Sequence, residues 1–290
     1  MKVITHDDRF HADDVFTMAT LRILLGDKIT EVVRTRDDAI IQTGDIVFDV
    51  GGIYDPETNR FDHHQREGAG IRENGVPYAS FGVVWKKWGA EICGSQAAAD
   101  MVDKKLAQPI DAGDNGYSFY TYTNDDMREY VFNMIVASFG ATWKEEERYD
   151  ESFVEIVDIA EKVLKREIIA AQHKAEAIPL VERAYEKSED KRIVVLDEYY
   201  PWMNVIEQHD EPLFVISPSK DRSVWRVNAV QSGLFVNRKD FPKEWAGLRE
   251  DQLPAVSGVA DATFCHRNLF MAVARTKEGA ISLAKKAIEA

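Results

Sequence analysis

Short apolar runs alternate with amphipathic stretches over the first third of the chain. Lys2–Thr5, Thr30–Arg34 and Asp45–Val50 are short and rich in β-branched residues, which predicts three strands. Asp13–Leu25 carries apolar residues at helical spacing and is followed by Gly26, which predicts a helix that ends there. Strands that alternate with helices indicate a mainly parallel sheet, in which ligands bind at the carboxyl ends of the strands.

The rest of the first 120 residues combines turn-forming residues with two further helical patterns. A turn is predicted at Tyr54–Asn59 and a short strand at Arg60–His63. Helices are predicted at Ala79–Trp88 and Ser95–Leu106, and Asp111–Gly116 has the composition of a turn. We therefore predict a first domain over residues 1–120.

The remaining chain changes character twice. Residues 125–187 have a mostly helical pattern, which predicts a helical connector over residues 121–190. Short apolar runs then return, which predicts a second, smaller α/β domain over residues 191–290. Its predicted strands and closing helix are Arg192–Leu196, Leu213–Ile216, Val224–Val230, Ala262–Cys265 and Glu278–Ala290. The predicted fold class is α/β, with a mainly parallel sheet in the first domain.

Composition limits the class of protein. Of the 290 residues 45% are hydrophobic, so a packed core is easily built, and the length suits two domains. No apolar run approaches the roughly 18 residues that span a bilayer, and the first residues lack a signal-peptide pattern. We expect a cytoplasmic protein with no membrane partner. Cys93 and Cys265 are too few for a disulfide framework, and we expect both to be buried.

The net charge of −14 argues against broad binding to duplex DNA, which needs Lys and Arg against phosphates. The charge is unevenly distributed. Residues 111–190 carry 9 Lys+Arg and 19 Asp+Glu, whereas residues 191–290 carry 14 and 13. The last third is therefore the part of the chain that repels an anionic substrate least.

Histidine and aspartate cluster at the predicted strand ends. Four of the seven histidines fall within the first 64 residues, and each lies within two positions of an aspartate. One cluster, His6–Asp14, follows the first predicted strand, and another, Asp62–His64, ends the fourth. Asp49 lies near the end of the strand between them. Three separated segments that converge at one sheet edge predict a metal site.

The ligand types indicate which chemistry such a site supports. Mixed imidazole and carboxylate ligands favour Mn²⁺, Fe²⁺, Co²⁺ or Zn²⁺, whereas Mg²⁺ prefers oxygen ligands alone. There are enough acids for two ions that share a carboxylate, and two ions activate water for attack on a phosphoryl group. The chain contains no Gly-x-Ser-x-Gly motif and no glycine-rich phosphate loop. These features predict a metal-dependent hydrolase.

Three motifs occur in a specific order: Thr5-His6 with Phe10–Asp14, then Asp49–Pro56, then Phe61–Arg66. Further motifs follow at Trp225–Val227, Trp245–Arg249, Val256–Gly258, Phe264–His266 and Thr276–Ala280. Over nearly the whole chain they resemble the Myg (melanocyte proliferating gene) branch of the DHH phosphoesterase superfamily, a branch also described as metal-dependent protein hydrolases. The resemblance implies a DHH-type catalytic domain, a C-terminal substrate-binding domain and a metal-dependent 3′-5′ exonuclease that hydrolyses RNA or short oligonucleotides.

The resemblance also implies a role for individual residues. Divalent metal, in the form of two Mn²⁺ with Mg²⁺, Co²⁺, Fe²⁺ or Zn²⁺ as alternatives, would be held by His6, His11, Asp13, Asp49, Asp62, His63 and Asp114. Asp111 is the alternative to Asp114. The catalytic residues would be Asp49, Asp62 and His64, with His64 facing the phosphate. The substrate would be single-stranded RNA or a short oligonucleotide, held by His64. Further candidates for substrate contact are Arg66, Arg238, His266 and Arg275, with core packing as the alternative for His266 and a solvated surface position as the alternative for Arg66.

Two other functions are compatible with the same residues. One is hydrolysis of a small phosphate compound such as pyrophosphate or a nucleotide, which would need a compact cage of Lys and Arg. The other is a non-catalytic binding or regulatory protein with a relic metal site. The superfamily's glycine-rich C-terminal motif is replaced here by Met271–Arg275, so the backbone cannot approach a phosphate as closely there. A homo-oligomer is also compatible with the sequence.

Several polar residues have simpler structural interpretations. Asp14 is expected to complement the helix dipole in the first helical turn, and Asp49 has the alternative of capping a turn at Gly51-Gly52. His173 is expected to be exposed on the long helix, and His209 is expected to be a loop residue without function.

Overall fold

The computed structural model describes residues 1–121, 123–124, 126–127, 129–233 and 236–290. They form two compact units, Met1–Ala175 and Glu176–Ala290. Both units combine helices with a five-stranded sheet, so the fold is mixed α/β. Among the described residues, no helix is both long enough and apolar enough to cross a membrane.

The sheet of the first unit is mostly parallel. Its strands are β1 (Lys2–Thr5), β2 (Glu31–Arg34), β3 (Ile46–Phe48), β4 (Tyr54–Asp55) and β5 (Arg60–Phe61). They lie in the order β2-β1-β3-β5-β4, with the edge pair β4–β5 antiparallel. Because β1, β3 and β5 are parallel neighbours, their carboxyl ends lie side by side, about 4.8 Å apart from strand to strand. The residues that follow these three strands are therefore brought together.

The helices of this unit contribute much of its hydrophobic core. They are α1 (Ala12–Leu25), α2 (Asp38–Ile41), α3 (Ser80–Cys93), α4 (Gln96–Val102), α5 (Gln108–Asp114), α6 (Phe132–Ala137) and α7 (Tyr149–Lys187), the last of which continues into the second unit. Helix α1 packs on α3 through Phe16 and Phe81, whose rings stack at 5.3 Å. Both rings are fully buried, which holds the first turn of α1 against the sheet edge.

The two segments predicted as turns have different outcomes. The segment predicted as a turn at Asp111–Gly116 contains the last turn of α5 and its cap instead. The buried Asp111 carboxylate accepts the Gly82 N–H at 3.0 Å and pairs with Arg72 Nη2 at 2.8 Å, which anchors this segment as helix. The predicted turn at Tyr54–Asn59 begins as β4 and continues as a 3-10 turn. In the first case, tertiary contacts override a turn-like composition.

The second unit has a mainly antiparallel sheet. Its strands are β6 (Ile193–Val195), β7 (Phe214–Pro218), β8 (Trp225–Ala229), β9 (Gln231–Gly233), β10 (Val236–Asn237), β11 (Ala262–Cys265) and β12 (Met271–Ala274). Its remaining helices are α8 (Met203–Ile206), α9 (Gln252–Ser257) and α10 (Lys277–Glu289). The larger sheet has the order β11-β12-β8-β7-β6, with only β6 and β7 parallel among these strands.

Both cysteines are buried, as predicted. Burial raises the pKa of the Cys93 thiol to about 11 and that of Cys265 to about 12. Neither thiol is ionised at neutral pH, so neither is an activated nucleophile.

Candidate metal centre

Asp49 lies at the centre of the shared strand edge, directly after the middle strand β3. Its backbone is left-handed, with φ 57°, a conformation that aspartate tolerates better than most side chains. Oδ2 lies 3.2 Å from His6 Nε2, and Oδ1 lies 3.1 Å from His63 Nε2. The two carboxylate oxygens therefore face imidazoles from the two neighbouring strand ends. The N–H of Gly52, in the turn that Asp49 was alternatively expected to cap, donates to Asp62.

The two imidazoles on either side of Asp49 are almost completely buried. The His6 Nδ1 atom lies 2.8 Å from the Asp7 carbonyl, which leaves Nε2 directed at the carboxylates of Asp14 and Asp49. Burial disfavours the charged ring, but these two carboxylates raise the pKa of His6 to about 10. The carboxylates of Asp114 and Asp49 likewise raise the pKa of His63 to about 10 against the effect of burial.

Several polar atoms here are buried without a hydrogen bond. Within the described residues, Asp13 Oδ1 and Oδ2, Asp14 Oδ2 and His63 Nε2 make no hydrogen bond of acceptable geometry. His63 Nε2 lies within 3.1–3.6 Å of oxygens of three aspartates, so the distances are short while the ring N–H points at none of them. Unpaired buried carboxylates cost several kcal/mol unless a cation compensates them. A bound cation would satisfy these atoms together.

The spacing of the donor atoms fits metal binding. Three groups have ligand atoms that all lie within 4.8 Å of one another: His6 with His11 and Asp49, Asp49 with His63 and His64, and His11 with Asp13 and Asp114. Two ligands on opposite sides of an ion, each at about 2.1 Å, are about 4.2 Å apart. Because Asp49 and His11 each belong to two groups, the described residues have the donors for more than one ion.

Asp62 is hydrogen-bonded by the loop around it through both carboxylate oxygens. Its Oδ2 accepts the Gly52 N–H at 2.5 Å, and its Oδ1 accepts the N–H groups of His63 and His64 at 2.7 and 3.1 Å. Oδ1 also lies 2.7 Å from His64 Nδ1. Both oxygens are thus engaged by the surrounding loop, and Asp62 is in none of the three donor groups. In this geometry Asp62 holds the two histidines in place.

The His64 side chain is exposed to solvent and is also held in a fixed orientation. Its side chain is 58% exposed while Nδ1 is held by Asp62, so the ring is oriented and reachable at once. The hydrogen bond to Asp62 raises the pKa of His64 above its ordinary value. The neighbouring Arg66 is exposed.

The structure separates the two aspartates proposed for the last motif. Asp114, at the end of α5, has Oδ2 only 3.2 Å from His63 Nε2. Asp111 lies instead beside a cation. Arg72 Nη2 is 2.8 Å from Asp111 Oδ2 and 2.8 Å from Asp103 Oδ1. Arg72 itself is buried and stacks on the Tyr78 ring at 3.9 Å. Asp114 is therefore the one of the pair that reaches the donor groups.

Two contributors were not identified from the sequence. Ser80, at the start of α3, donates to Asp49 Oδ1 and to the Phe61 carbonyl, both at 3.0 Å, and so orients the central carboxylate. Asp14 accepts the His11 N–H at 2.9 Å, as expected of a first-turn acid, but its other oxygen lies 3.2 Å from His6 Nε2. For Ser80, the sequence shows only a position near the start of a predicted helix, and that position alone indicates a cap.

The residues assigned to substrate binding in the second unit have varied surroundings. The Arg238 guanidinium donates to the main-chain carbonyls of Glu207, His209 and Pro212 and is thereby occupied. His266 lies in the turn between β11 and β12, where Nδ1 accepts the Asn268 N–H at 3.1 Å. The Arg275 side chain is 65% exposed and lies 3.7 Å from Glu250.

The two remaining histidines fit their structural interpretations. His173 is exposed on α7, as predicted. His209 lies in a loop, as predicted, where its ring stacks on Tyr185 at 3.9 Å and Nε2 lies 2.8 Å from Glu182 Oε2.

Comparison with known proteins places the chain among relatives of similar length. The MYG1 exonuclease family model, described as "Uncharacterised protein family (UPF0160)", matches residues 2–288. A Homo sapiens protein named MYG1 exonuclease is 30% identical over 320 residues, covering 98% of this chain and 85% of its own. A MYG1 protein of Schizosaccharomyces pombe is 28% identical over 320 residues, covering 100% and 98%. No solved structure matches the chain.

Proposed function

Because the chain belongs to the MYG1 exonuclease family, we propose that it is a metal-dependent nuclease that hydrolyses single-stranded RNA or short oligonucleotides from the 3′ end. The observation that carries the proposal is the Asp49 carboxylate, whose two oxygens face His6 and His63 at 3.2 and 3.1 Å, beside buried oxygens of Asp13 and Asp14 that make no hydrogen bond among the described residues. We further propose that the first unit is of the DHH type, since its three N-terminal motifs follow three neighbouring parallel strands.

The donor set suits two divalent ions, and we propose Mn²⁺. His6, His11, Asp13, Asp49, His63 and Asp114 would hold the ions, with Asp49 shared between them. When bound, two such ions supply an activated water and neutralise charge on the phosphoryl oxygens. The proposed ligands come from the segments after β1, β3 and β5, from the start of α1 and from the end of α5, all within the first unit.

The chain's own groups have separate roles in this mechanism. Asp62 fixes the tautomer and direction of His64 by holding Nδ1, which leaves Nε2 for the substrate. The raised pKa of His64 favours the protonated ring, which suits it to donate a proton to the leaving oxygen of the phosphodiester. Ser80 and the backbone around Gly52 act by positioning Asp49 and Asp62.

A labelled short RNA tests the proposal directly. We expect stepwise shortening from the 3′ end with Mn²⁺ and no shortening with excess EDTA, while a 5′-blocked RNA should be degraded normally and a 3′-blocked RNA should not. Pyrophosphate serves as the comparison substrate. Phosphate release from pyrophosphate without any RNA cleavage would replace the nuclease by an enzyme for small phosphate compounds.

Metal binding should release protons. The metal-free His6 and His63 rings are charged at neutral pH because their pKa values are raised to about 10, whereas a metal ligand must be neutral. Apparent Mn²⁺ affinity should therefore rise with pH between 6.5 and 8.5, by at most about a hundredfold per pH unit if two protons leave. The stabilising ion pairs of the metal-free protein are complete below pH 6.5 and are lost as pH approaches 10.

Calorimetric titration in two buffers of different ionisation enthalpy measures the protons released. An affinity that does not change over this pH range, with no proton release, would contradict the assignment of both histidines as ligands.

A further inference from the structure

A cavity of about 480 Å³ lies beside helix α5 in the first unit. It is lined by Pro109, Ile110 and Gly113 of α5 and by Phe132 and Asn133 of α6. Tyr117, Phe119 and Tyr120 also line it. The volume falls within the range of about 300–1,000 Å³ that is usual for small-ligand sites.

The end of α5 links this cavity to the candidate metal centre. Gly113 and Gly116, which flank Asp114 closely in sequence, both line the cavity. Gly116 has φ 64°, and the Tyr117 N–H bonds the Ala112 carbonyl at 2.8 Å, which is the pattern of a glycine-terminated helix end. This turn fixes where the chain leaves the helix. The same helix end therefore presents Asp114 to the metal donors and leads the aromatic segment to the cavity.

The chemistry of the cavity wall selects a neutral, flat ligand. Phe119 is 56% exposed and Tyr117 is 38% exposed, although large aromatic side chains are strongly favoured inside. The only cation among the described lining residues is Lys105, and both oxygens of Glu167 already bind its amine at 2.7–2.8 Å. Glu129 adds a negative charge. An anionic phosphate is thus disfavoured here, whereas aromatic rings and the Asn133 amide suit the faces and edge of a base.

We propose that this cavity binds a nucleobase of the substrate, stacked on Phe119, while the phosphate lies at the metal centre. The assignment rests on the proposed nuclease function and adds a binding subsite to it. Every nucleobase has a π-face, so stacking would hold a single strand without selecting its sequence. The subsite would also favour strands with unpaired ends, since a base in a duplex is already stacked.

Kinetics with intact and abasic substrates test the subsite. Phe119→Ala should raise KM for a short RNA about tenfold, within the range of one lost stacking contact, with kcat little changed. An RNA of the same length with abasic terminal nucleotides should already have the higher KM with the wild-type protein, and Phe119→Ala should raise it no further. Phe119→Tyr should restore the wild-type KM. The control is Trp143→Ala, because Trp143 is 90% exposed and does not line the cavity.

Binding of adenosine in EDTA separates this proposal from the nuclease assignment, because it needs neither metal nor turnover. Saturable binding that weakens about tenfold in Phe119→Ala supports the subsite even if the protein cleaves no RNA. Conversely, normal RNA cleavage with an unchanged KM in Phe119→Ala would leave the nuclease intact and overturn the subsite. If adenosine does not bind and no RNA is cleaved, both assignments fail.

Discussion

Replacing Asp49 with Asn is expected to lower turnover of a short RNA by at least about a thousandfold, since metal ions contribute several kcal/mol to stabilising the transition state. Asp49 is the only described residue whose two carboxylate oxygens lie within 3.2 Å of two different buried imidazoles. An amide presents one oxygen instead of two and carries no charge, so it cannot be shared by two cations. The measurements are kcat with saturating Mn²⁺ and the metal content of the purified protein.

The substitution should leave the fold intact. Asparagine tolerates the left-handed backbone at φ 57°, and its oxygen can still accept the Ser80 hydroxyl. Asp100→Asn is a suitable control, because Asp100 lies exposed on α4 and contacts only Gln96 among the interactions of its side chain in the described structure. Wild-type turnover and full metal content in Asp49→Asn would refute the assignment of Asp49 as the shared ligand.

Replacing Asp13 with Asn is expected to abolish metal-dependent activity while stabilising the metal-free protein. Asp13 is fully buried, and its two oxygens make no hydrogen bond within the described residues. Burial, followed by the charges of Asp49, Asp114 and Asp14, raises the pKa of Asp13 well above its ordinary value. The ionised form therefore destabilises the folded state, and this destabilisation grows as pH rises above the unfolded pKa of 3.8.

Thermal unfolding in EDTA and in Mn²⁺ separates the two effects. Without metal, the Tm of Asp13→Asn should be higher by about 2–4 °C, which corresponds to about 1 kcal/mol in a protein of this size class. The increase in Tm that Mn²⁺ gives the wild-type protein should be lost, since binding to the folded state is its cause. If the Tm of Asp13→Asn in EDTA were lower than that of the wild-type protein, the Asp13 carboxylate would stabilise the metal-free fold, which contradicts this prediction.

The opposite signs expected for Asp13 have a general physical origin. A site that concentrates buried carboxylates for a cation is unfavourable until the cation binds, so function and stability of the metal-free state oppose each other. The metal centre and its neighbourhood show both extremes. Asp13 makes no side-chain hydrogen bond of acceptable geometry among the described residues, whereas Asp111 is paired with Arg72 and the Gly82 N–H. Asp13 and Asp111 are both buried aspartates near the metal centre. Their roles differ because their surroundings differ.

Local patterns were sufficient for most elements of the first unit. β1 lies at Lys2–Thr5 as predicted, and α1 differs from its predicted range by one residue at the start. These elements have a clear period of apolar residues, which depends only on neighbours in the chain. The turn predicted at Asp111–Gly116 failed because its helical conformation depends on Arg72 and Gly82, which are distant in sequence.

The sequence by itself determined that imidazole and carboxylate follow three strands of one sheet, and hence that a metal centre was to be expected at that edge. Only the tertiary structure decided which of these side chains reach the metal centre and which position their neighbours. The strand order β1-β3-β5 puts Asp49 between His6 and His63, and the packing of α5 brings Asp114 in and turns Asp111 away. Asp62 and Ser80 likewise acquire their positioning roles from hydrogen bonds made across loops. Composition and spacing specify which ligand atoms exist, but distances between segments are set by long-range packing, which no local pattern records.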